Sequence, residues 1–335
     1  MRVGIVGAGN MGRVHTMSWQ ATPAQIVGFR DIRPERAQRY AEQYGGRAYD
    51  SLDGLLADVD VVSCCTPTDV HYEIVMAAAR AGKHVICEKP LARTLAQGRE
   101  MVAACRAAGV KLYVGQVVRF FPEYDRAKRA VDAGMVGKPA VLRFSRCVSQ
   151  PRLSTDNWFV DFNRSGGLIL DLMVHDLDYA RWVAGEVTRV YAKTLSAARP
   201  EAGADHALAI LTHASGAITH VEASWAYPPV FYTAFEIAGS AGLLSFDADS
   251  SRPIQFLRHQ QAREDVPEVP LPSNPLLESQ YVTEIKAFYE GIAHDAPVRV
   301  SAADGLAAIQ IALAAIESAQ TGRAIELERL PEVAA

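Results

Sequence analysis

A charged pair at the end of an apolar run is the first place where this chain could do chemistry. Glu88-Lys89-Pro90 follows directly on His84-Val85-Ile86-Cys87, which has the composition of a short buried strand. The proline cannot continue a ladder and keeps Lys89 extended, so we expect the strand to end there with the lysine amine aimed out of the sheet. A solvated strand end with a turn proline fits this stretch equally well, so other parts of the chain must decide.

Asp171 and His175 form a second candidate pair. They stand four residues apart in a predicted helix, Leu168 to Ala184, and therefore project from one face of it. A neighbouring carboxylate raises the basicity of an imidazole and fixes its orientation, as a general base requires, although an ordinary surface pair has the same spacing. Asp176 and Asp178 lie on the same helix, but no further ligands follow at a recognised metal spacing, so we expect no metal site.

A glycine-rich turn near the N-terminus indicates dinucleotide binding. Gly7-Ala8-Gly9-Asn10-Met11-Gly12 matches G-x-G-x-x-G between a predicted strand, Arg2 to Val6, and a predicted helix. Asp31 ends the next strand, where an acid can accept hydrogen bonds from the adenosine ribose. Its charge would repel the 2′-phosphate of NADP, so NAD is favoured, while the flanking Arg30 and Arg33 leave NADP open.

The elements that must position these motifs alternate strand and helix over residues 1–120. This alternation predicts an α/β domain of the Rossmann type, a doubly wound parallel sheet with helices on both faces. The carboxyl ends of its strands meet at one edge, so we expect Lys89 to lie beside the cofactor together with Thr66-Pro67 and Gln116. His71, at the start of a helix, could face the same edge or could simply be solvated.

Beyond residue 120 the pattern changes to alternating strands joined by tight turns. Strands joined in this way pair antiparallel, so residues 121–335 are predicted to form an α+β domain with a large, mainly antiparallel sheet of at least five strands. An exposed face of such a sheet is a natural surface for oligomer formation. The loop before the predicted helix at residue 168 contains Asn157 and Trp158 as candidate substrate contacts.

Composition narrows the partners to small molecules. The 335 residues carry a net charge of −4 with no run of lysine or arginine, which argues against nucleic acid or a membrane as partner. The apolar stretch from Leu306 to Ile316 is too short to cross a bilayer. We see no secretion signal, and the five cysteines form no C-x-x-C pair, so we expect a reduced cytoplasmic location.

Taken together, these motifs resemble the Gfo/Idh/MocA family, the glucose-fructose oxidoreductase and inositol dehydrogenase group. The resemblance implies an NAD(P)-dependent oxidoreductase that transfers a hydride between a nicotinamide and a secondary hydroxyl of a sugar, sugar derivative or cyclitol. It also implies a homodimer or homotetramer. The motifs that carry it are Gly7 to Gly12, Asp31, Thr66-Pro67, Glu88-Lys89-Pro90, Gly166-Gly167 to Asp178, and Asp304-Gly305.

The same resemblance implies roles for individual residues. Lys89 hydrogen-bonds the reacting hydroxyl, His175 takes or gives its proton, and Asp171 orients that chemistry. The Lys89–Pro90 bond is expected to be cis. Expected cofactor contacts are Gly7, Ala8, Gly9, Asn10, Met11, Gly12, Asp31, Ile32, Thr66, Pro67, His71, Glu88, Lys89 and Gln116, and expected substrate contacts are Lys89, Arg119, Asn157, Trp158, Asp171 and His175.

Two other functions remain open at this stage. Some members of the family are glycosidases that keep NAD bound and use transient oxidation to eliminate a glycosidic bond. A non-catalytic dinucleotide sensor could use the same scaffold. The presence of Lys89, Asp171 and His175 together speaks against the sensor, because a sensor has no need for an acid–base set.

Overall fold

The structure is a computed structural model that describes residues 1–150, 157–197, 203–249 and 278–330. Within these ranges the chain divides into two units, the first formed by residues 1–120 and 278–306 and the second by residues 121–249 and 307–330. The elements up to residue 120 are β1 (Arg2–Val6), α1 (Asn10–Trp19), β2 (Gln25–Arg30), α2 (Pro34–Tyr44), β3 (Arg47–Ala48), α3 (Leu52–Asp58), β4 (Val61–Cys64), α4 (His71–Arg80), β5 (His84–Glu88), α5 (Leu95–Ala107) and β6 (Leu112–Gly115).

The six strands of the first unit form one parallel sheet in the order β3-β2-β1-β4-β5-β6. The chain builds outward from β1 to β3 and then starts again at β4, so the strand order reverses between β1 and β4. Central strands such as β4 are buried along their whole length, as parallel strands covered on both faces must be. The predicted Rossmann sheet is confirmed, and its point of reversal is where such sheets bind ligands.

The second unit contains a sheet of seven strands in the order β12-β11-β7-β10-β9-β8-β13. All neighbouring strands pair antiparallel except β7 and β10, which are parallel, so the predicted mainly antiparallel sheet is confirmed. Its elements are α6 (Pro122–Asp132), β7 (Pro139–Ser149), α7 (Phe162–Ser165), α8 (Val174–Ala184), β8 (Val187–Leu195), β9 (His206–His213), β10 (Ile218–Ser224), β11 (Ala226–Gly239), β12 (Leu243–Asp247) and β13 (Ile325–Glu326).

One face of this sheet is packed with aromatic side chains from the helices that cover it. Tyr124 from α6 and Tyr179 from α8 meet edge to face with their ring centroids 4.9 Å apart, and Phe144 of β7 packs on Tyr179 at 5.5 Å. All three are essentially inaccessible to solvent. These contacts hold α8, the helix that carries the predicted base His175, against the sheet.

The predicted helix from Leu168 to Ala184 is not a single α-helix. Residues Ile169–Met173 form a turn of π-helix, and the α-helix α8 begins only at Val174. Gly166 and Gly167 precede the turn with φ angles of 80° and 69°, a left-handed conformation that glycine adopts without strain. A π turn widens the helix by one residue, a feature that a spacing pattern in the sequence does not reveal.

The chain passes from the first unit to the second after Phe120. The later helix α9 (Gln280–His294) belongs to the first unit rather than the second, because it packs on α1 and on the turn at residues 117–120. Tyr113 of β6 stacks on Phe288 of α9 with centroids 5.0 Å apart and ring planes 9° from parallel. Residues 278–306 therefore group with the first unit, and the predicted division into residues 1–120 and 121–335 stays a prediction.

The last long helix, α10 (Ala302–Thr321), begins in the first unit and continues in the second. Among the described residues it alone has the length and apolar composition needed to cross a membrane. In this protein 56% of its apolar window is buried inside the fold, including Leu306, Ile309 and Ala312. These residues form core contacts.

Candidate active site

The glycine turn between β1 and α1 is built so that two of its glycines are obligatory. Gly7 has a φ of +98°, and a Cβ added there would lie 2.5 Å from the carbonyl oxygen of Cys65. A Cβ on Gly12 would lie 1.9 Å from the carbonyl oxygen of Gly7, so no side chain fits. Gly9 faces open space, and α1 starts there without a side-chain cap. The free N–H groups at this helix end fit a diphosphate.

Asp31, the predicted contact of the adenosine ribose, also holds the glycine turn in place. Its Oδ2 accepts the Ala8 backbone N–H at 2.6 Å and its Oδ1 accepts the Arg33 N–H at 2.8 Å. The Tyr40 hydroxyl donates to the carbonyl oxygen of Gly9 at 2.8 Å, and burial raises the pKa of this phenol to about 12. Tyr40 was not predicted, because nothing in an amphipathic helix distinguishes a tyrosine that reaches the turn.

A buried network holds Glu88 at the end of β5. His15 Nε2 lies 2.9 Å from Glu88 Oε1, and Glu88 Oε2 accepts the backbone N–H of Lys89 at 3.1 Å. On the other side of the ring, His15 Nδ1 lies 3.3 Å from the Ser63 hydroxyl, which accepts the Trp19 indole N–H at 2.7 Å. The indole can only donate, so the Ser63 hydroxyl is free to donate its own hydrogen to His15 Nδ1. The proton of the neutral His15 ring is therefore assigned to Nε2, where it faces Glu88.

The carboxylate of Glu88 is thus a support for the backbone of Lys89. Burial by itself raises the pKa of Glu88, but the hydrogen bond from His15 and the charges of Lys89 and His71 bring it below its ordinary value. Glu284 of α9 behaves in the opposite way. Burial, followed by the negative charge of Glu88, raises its pKa well above the ordinary value and so favours the protonated carboxyl.

The Lys89–Pro90 peptide bond is cis, as the resemblance implied. Lys89 itself is half-buried at the carboxyl end of β5, the same sheet edge as the glycine turn. Gln116, just beyond the end of β6, is fully buried, and both of its amide atoms lack a hydrogen-bond partner among the described residues. A buried amide without a partner at this edge fits a position that a bound cofactor would complete.

Of the other predicted cofactor contacts, Ile32 is 85% exposed, directly after Asp31. Thr66 and Pro67 lie between β4 and the short 3-10 turn that precedes α4. His71 is buried, and its two ring nitrogens lie 3.0 Å from the carbonyl oxygens of Pro90 and Thr66. Backbone groups therefore occupy the ring nitrogens of His71, and a direct cofactor contact through them stays a prediction.

Arg119, expected at the substrate, is 1% exposed inside the first unit. Its guanidinium donates to the carbonyl oxygen of Arg299 at 2.6 Å and lies 3.2 Å from the carboxylate of Asp304. These contacts join the turn after β6 to the segment that leads into α10. Arg119 therefore has a structural role, and its predicted contact with substrate stays a prediction.

In the second unit, Asp171 lies buried in the π turn and His175 lies half-buried in the first turn of α8. The next residue, Asp176, accepts two hydrogen bonds from Arg146 at 2.7 and 2.9 Å, and both side chains are at most 1% exposed. Successive helical residues point about 100° apart, so this buried pair fixes the rotation of α8 and with it the direction of His175.

Asn157 and Trp158 lie in the turn that leads to α7 and are both half-buried. The Asn157 carbonyl accepts the Val160 N–H at 3.3 Å, and the indole of Trp158 stacks on Phe159 with centroids 4.0 Å apart. The side chain of Asp161 caps α7 by accepting the N–H of Asn163. These local contacts, which the sequence does not specify, hold residues 157–163 in place.

The first unit thus brings the glycine turn, Asp31, the Glu88-Lys89 pair and Gln116 to its carboxyl edge, and the second places Asp171 and His175 at the start of one helix. His15 was missed by the sequence analysis. The one signal for it is a histidine on the buried face of the helix that follows the glycine turn.

Comparison with known proteins gives matches along nearly the whole chain. A model of an oxidoreductase family with an NAD-binding Rossmann fold matches residues 1–116, and one of the GFO/IDH/MocA C-terminal domain matches residues 124–245. Myo-inositol 2-dehydrogenase of Thermotoga maritima and inositol 2-dehydrogenase of Rhizobium meliloti are each 32% identical over 341 residues, covering 98% of this chain and 99% of theirs. A solved complex of levoglucosan dehydrogenase with NADH and levoglucosan has a TM-score of 0.83 at 26% identity, covering 98% of this chain and 100% of that one.

Proposed function

We propose, from the premise that this chain belongs to the Gfo/Idh/MocA oxidoreductase family, that it oxidises or reduces a secondary hydroxyl position of a cyclitol or sugar. NAD is the cofactor of the Rossmann fold that it matches. The inositol and levoglucosan dehydrogenases among its relatives support a ring-shaped polyhydroxyl substrate.

The observation that carries the proposal is the support built around Lys89. Glu88 accepts the Lys89 backbone N–H, and His15 in turn holds Glu88, so the lysine is fixed at the sheet edge that also carries the glycine turn. A residue with no function at a strand end would not need a buried carboxylate and a buried histidine behind it, since both are costly to desolvate.

Bound NAD supplies the acceptor for a hydride from the carbon that bears the reacting hydroxyl. In the proposed mechanism the Lys89 ammonium donates a hydrogen bond to the hydroxyl oxygen and stabilises the negative charge that develops there. His175 takes the hydroxyl proton, and Asp171 orients the imidazole for this transfer. In the reverse direction His175 returns the proton to the same oxygen. Asn157 and Trp158 are proposed to contact the substrate.

Replacing Lys89 with methionine tests this assignment. Methionine keeps the length and loses the charge, so we expect kcat to fall by a factor of about 1000, while the dissociation constant for NAD stays within about twofold. Lys83→Met is the matched control, because Lys83 stands just before the opposite end of β5 and should leave kcat unchanged. Retention of most of the turnover by the Lys89 variant would overturn the proposed role.

Substrate and cofactor can be determined in one screen. The purified protein is assayed with myo-inositol, scyllo-inositol, levoglucosan and common aldoses, each with NAD and with NADP, by the absorbance of the reduced nicotinamide. We expect NADH to accumulate in proportion to substrate consumed and NAD to be preferred, because the Asp31 carboxylate stands where a 2′-phosphate would be repelled. Hydrolysis of a glycoside without net NADH would instead identify an NAD-dependent glycosidase.

We also propose that the protein forms a homodimer or homotetramer through the outer face of the seven-stranded sheet. Strand register places five partly exposed apolar side chains on that one face: Val141, Tyr191, Leu208, Ile210 and Ile218. An exposed apolar sheet face of this kind is typical of a subunit contact. Light scattering measures the number of subunits directly.

The five cysteines, all buried and free, support a cytoplasmic location, which we also propose.

A further inference from the structure

His71 is surrounded by hydrogen-bond acceptors on both sides of its ring. Nδ1 lies 3.0 Å from the carbonyl oxygen of Pro90 and Nε2 lies 3.0 Å from the carbonyl oxygen of Thr66. The side chain is 1% exposed, so water does not take the place of either partner. A neutral imidazole has one N–H and one lone pair, and the lone pair would face a carbonyl oxygen. Only a ring with a proton on both nitrogens satisfies both contacts.

A second buried histidine shows the alternative arrangement. His213 in the second unit is 2% exposed, with Nδ1 2.7 Å from the carbonyl oxygen of Gly185 and Nε2 2.8 Å from the hydroxyl of Thr219. A hydroxyl can donate, so a neutral ring satisfies both partners there. Burial lowers the pKa of His213, which agrees with a neutral ring. The two histidines therefore differ in the partner of Nε2, which is a carbonyl oxygen for His71 and a hydroxyl for His213.

We propose that His71 is an imidazolium that positions the catalytic turn, tying the backbone of Pro90 to that of Thr66 and so fixing Lys89 relative to the cofactor turn. The Pro90 carbonyl belongs to the residue directly after Lys89. The Thr66 backbone lies against the glycine turn, since a Cβ on Gly7 would lie 3.1 Å from the Thr66 nitrogen. The functional part of this inference rests on the proposed role of Lys89.

The groups around the ring are suited to a positive charge. The sulfur atoms of Cys64 on β4 and Cys87 on β5 lie within 4.8 Å of a His71 ring nitrogen, and the carboxylate of Glu88 interacts with it electrostatically. Both neighbouring strands therefore place a polarisable sulfur atom beside the ring, and β5 adds a carboxylate whose negative charge favours a protonated ring.

Two substitutions separate the two hydrogen bonds. The amide nitrogen of asparagine occupies the place of Nδ1 and that of glutamine the place of Nε2, so His71→Asn keeps the bond to Pro90 and His71→Gln keeps the bond to Thr66. We expect His71→Gln to lower kcat about tenfold with the dissociation constant for NAD within about threefold. We expect His71→Asn to weaken NAD binding about tenfold with kcat within about threefold.

His213→Asn and His213→Gln are the matched controls, because that ring is equally buried but touches no proposed site residue. They should lower the melting temperature without separating kcat from NAD affinity. If both His71 variants change kcat and NAD affinity by the same factor, the ring is merely structural and the positioning role is overturned.

The charge of the ring is measured independently of activity. In protein labelled with nitrogen-15 histidine, we expect both ring nitrogens of His71, assigned by the loss of their signals in His71→Asn, to carry a bonded proton at neutral pH. A single protonated nitrogen overturns the inference, and so does a metal ion bound stoichiometrically to the purified protein through His71. Should no polyol reduce NAD in the screen above, the proposed function fails, while the spectrum still decides the state of His71.

Discussion

Two predicted catalytic residues in this chain each stand next to a buried carboxylate, and the two carboxylates are held in different ways. Glu88 precedes Lys89 and is bonded to His15 and to a backbone N–H. Asp176 follows His175 and is bonded twice to the guanidinium of Arg146. The partners of Glu88 are a histidine and a backbone N–H, whereas the partner of Asp176 is an arginine, which is charged at every accessible pH. The pair of Arg146 and Asp176 holds α8 in place, and the contacts of Glu88 hold the backbone of Lys89 in place.

The comparison shows that adjacency along the chain does not define a shared role. Both carboxylates are as buried as the core around them, and both neighbours are half-buried. What distinguishes the two regions is the partner of the carboxylate, which is a histidine and a backbone N–H at Glu88 and an arginine at Asp176. Stability should depend most on Asp176 and turnover most on Glu88, so the two effects can be separated by experiment.

The largest expected effect is on stability, from Arg146→Met. Methionine removes the charge and leaves the Asp176 carboxylate buried and uncompensated, which typically costs about 3–5 kcal/mol. Denaturant titration should show a large fall in the unfolding midpoint. Arg143→Met is the control, because Arg143 lies on the same strand, is 57% exposed and pairs with Glu236, so its loss should cost at most about 1 kcal/mol.

An apolar replacement of the whole pair sharpens this test. In Arg146→Met/Asp176→Leu no buried charge remains, so most of the lost stability should return. If Arg146→Met is no worse than Arg143→Met, the pair is not what fixes α8, and the contrast with Glu88 collapses.

Glu88→Gln is expected to have a smaller effect on stability and a larger one on turnover. Glutamine keeps the shape and one acceptor, so the free energy of unfolding should fall by about 1–3 kcal/mol. Turnover should fall about tenfold or more, because the Lys89 backbone loses a charged acceptor and the ring of His15 loses its anion. Steady-state kinetics with saturating NAD measures this change.

The matching variant in the other region is Asp176→Asn. It should destabilise the protein more than Glu88→Gln does, while the kcat of the folded fraction falls less than in Glu88→Gln, because asparagine still accepts one hydrogen bond from Arg146 and so keeps α8 and His175 in place. An unchanged kcat in Glu88→Gln would count against the role of Glu88 in positioning the lysine.

The sequence predicted those parts of the fold that depend on local pattern. The glycine turn, Asp31 and the alternation of strand and helix identify the parallel sheet, because each has a short-range signature. The packing of α9 on α1 in the first unit joins elements far apart in the chain, which no local pattern contains. The parallel pairing of β7 with β10 is also a long-range choice that no local pattern contains.

Much of the candidate site was beyond the sequence for the same reason. Lys89, Asp171 and His175 were found from motifs, but the contact between His15 and Glu88 joins residues 73 positions apart. The π turn around Asp171 depends on hydrogen bonds whose register is shifted by one residue from that of an α-helix. Arg119 carries no sequence feature that separates a buried ion pair from a substrate contact, and the structure places it beside Asp304.

The smallest expected effect concerns Glu284, a buried carboxyl whose pKa depends in part on the charge of Glu88. Its folded pKa is raised by burial and then by Glu88, whereas the unfolded carboxyl titrates near about 4.3. Above that pH the unfolded state binds fewer protons than the folded state, so Glu284 makes stability fall as pH rises. Glu88, with its lowered pKa, acts in the opposite direction, since its contribution is lost as pH falls.

Glu284→Gln removes the first of these dependences while it keeps a neutral side chain of the same size. We expect its melting temperature to exceed that of the unchanged protein at pH 8 by a few degrees and to approach it near pH 5, since 1 kcal/mol corresponds to about 2–4 °C for a domain of this size. Glu290→Gln, exposed on the same helix, is the control and should follow the unchanged protein at every pH. If the melting temperatures of Glu284→Gln and of the unchanged protein differ by the same amount at every pH, Glu284 ionises in the folded state. Burial beside Glu88 would then not keep the proton on the Glu284 carboxyl.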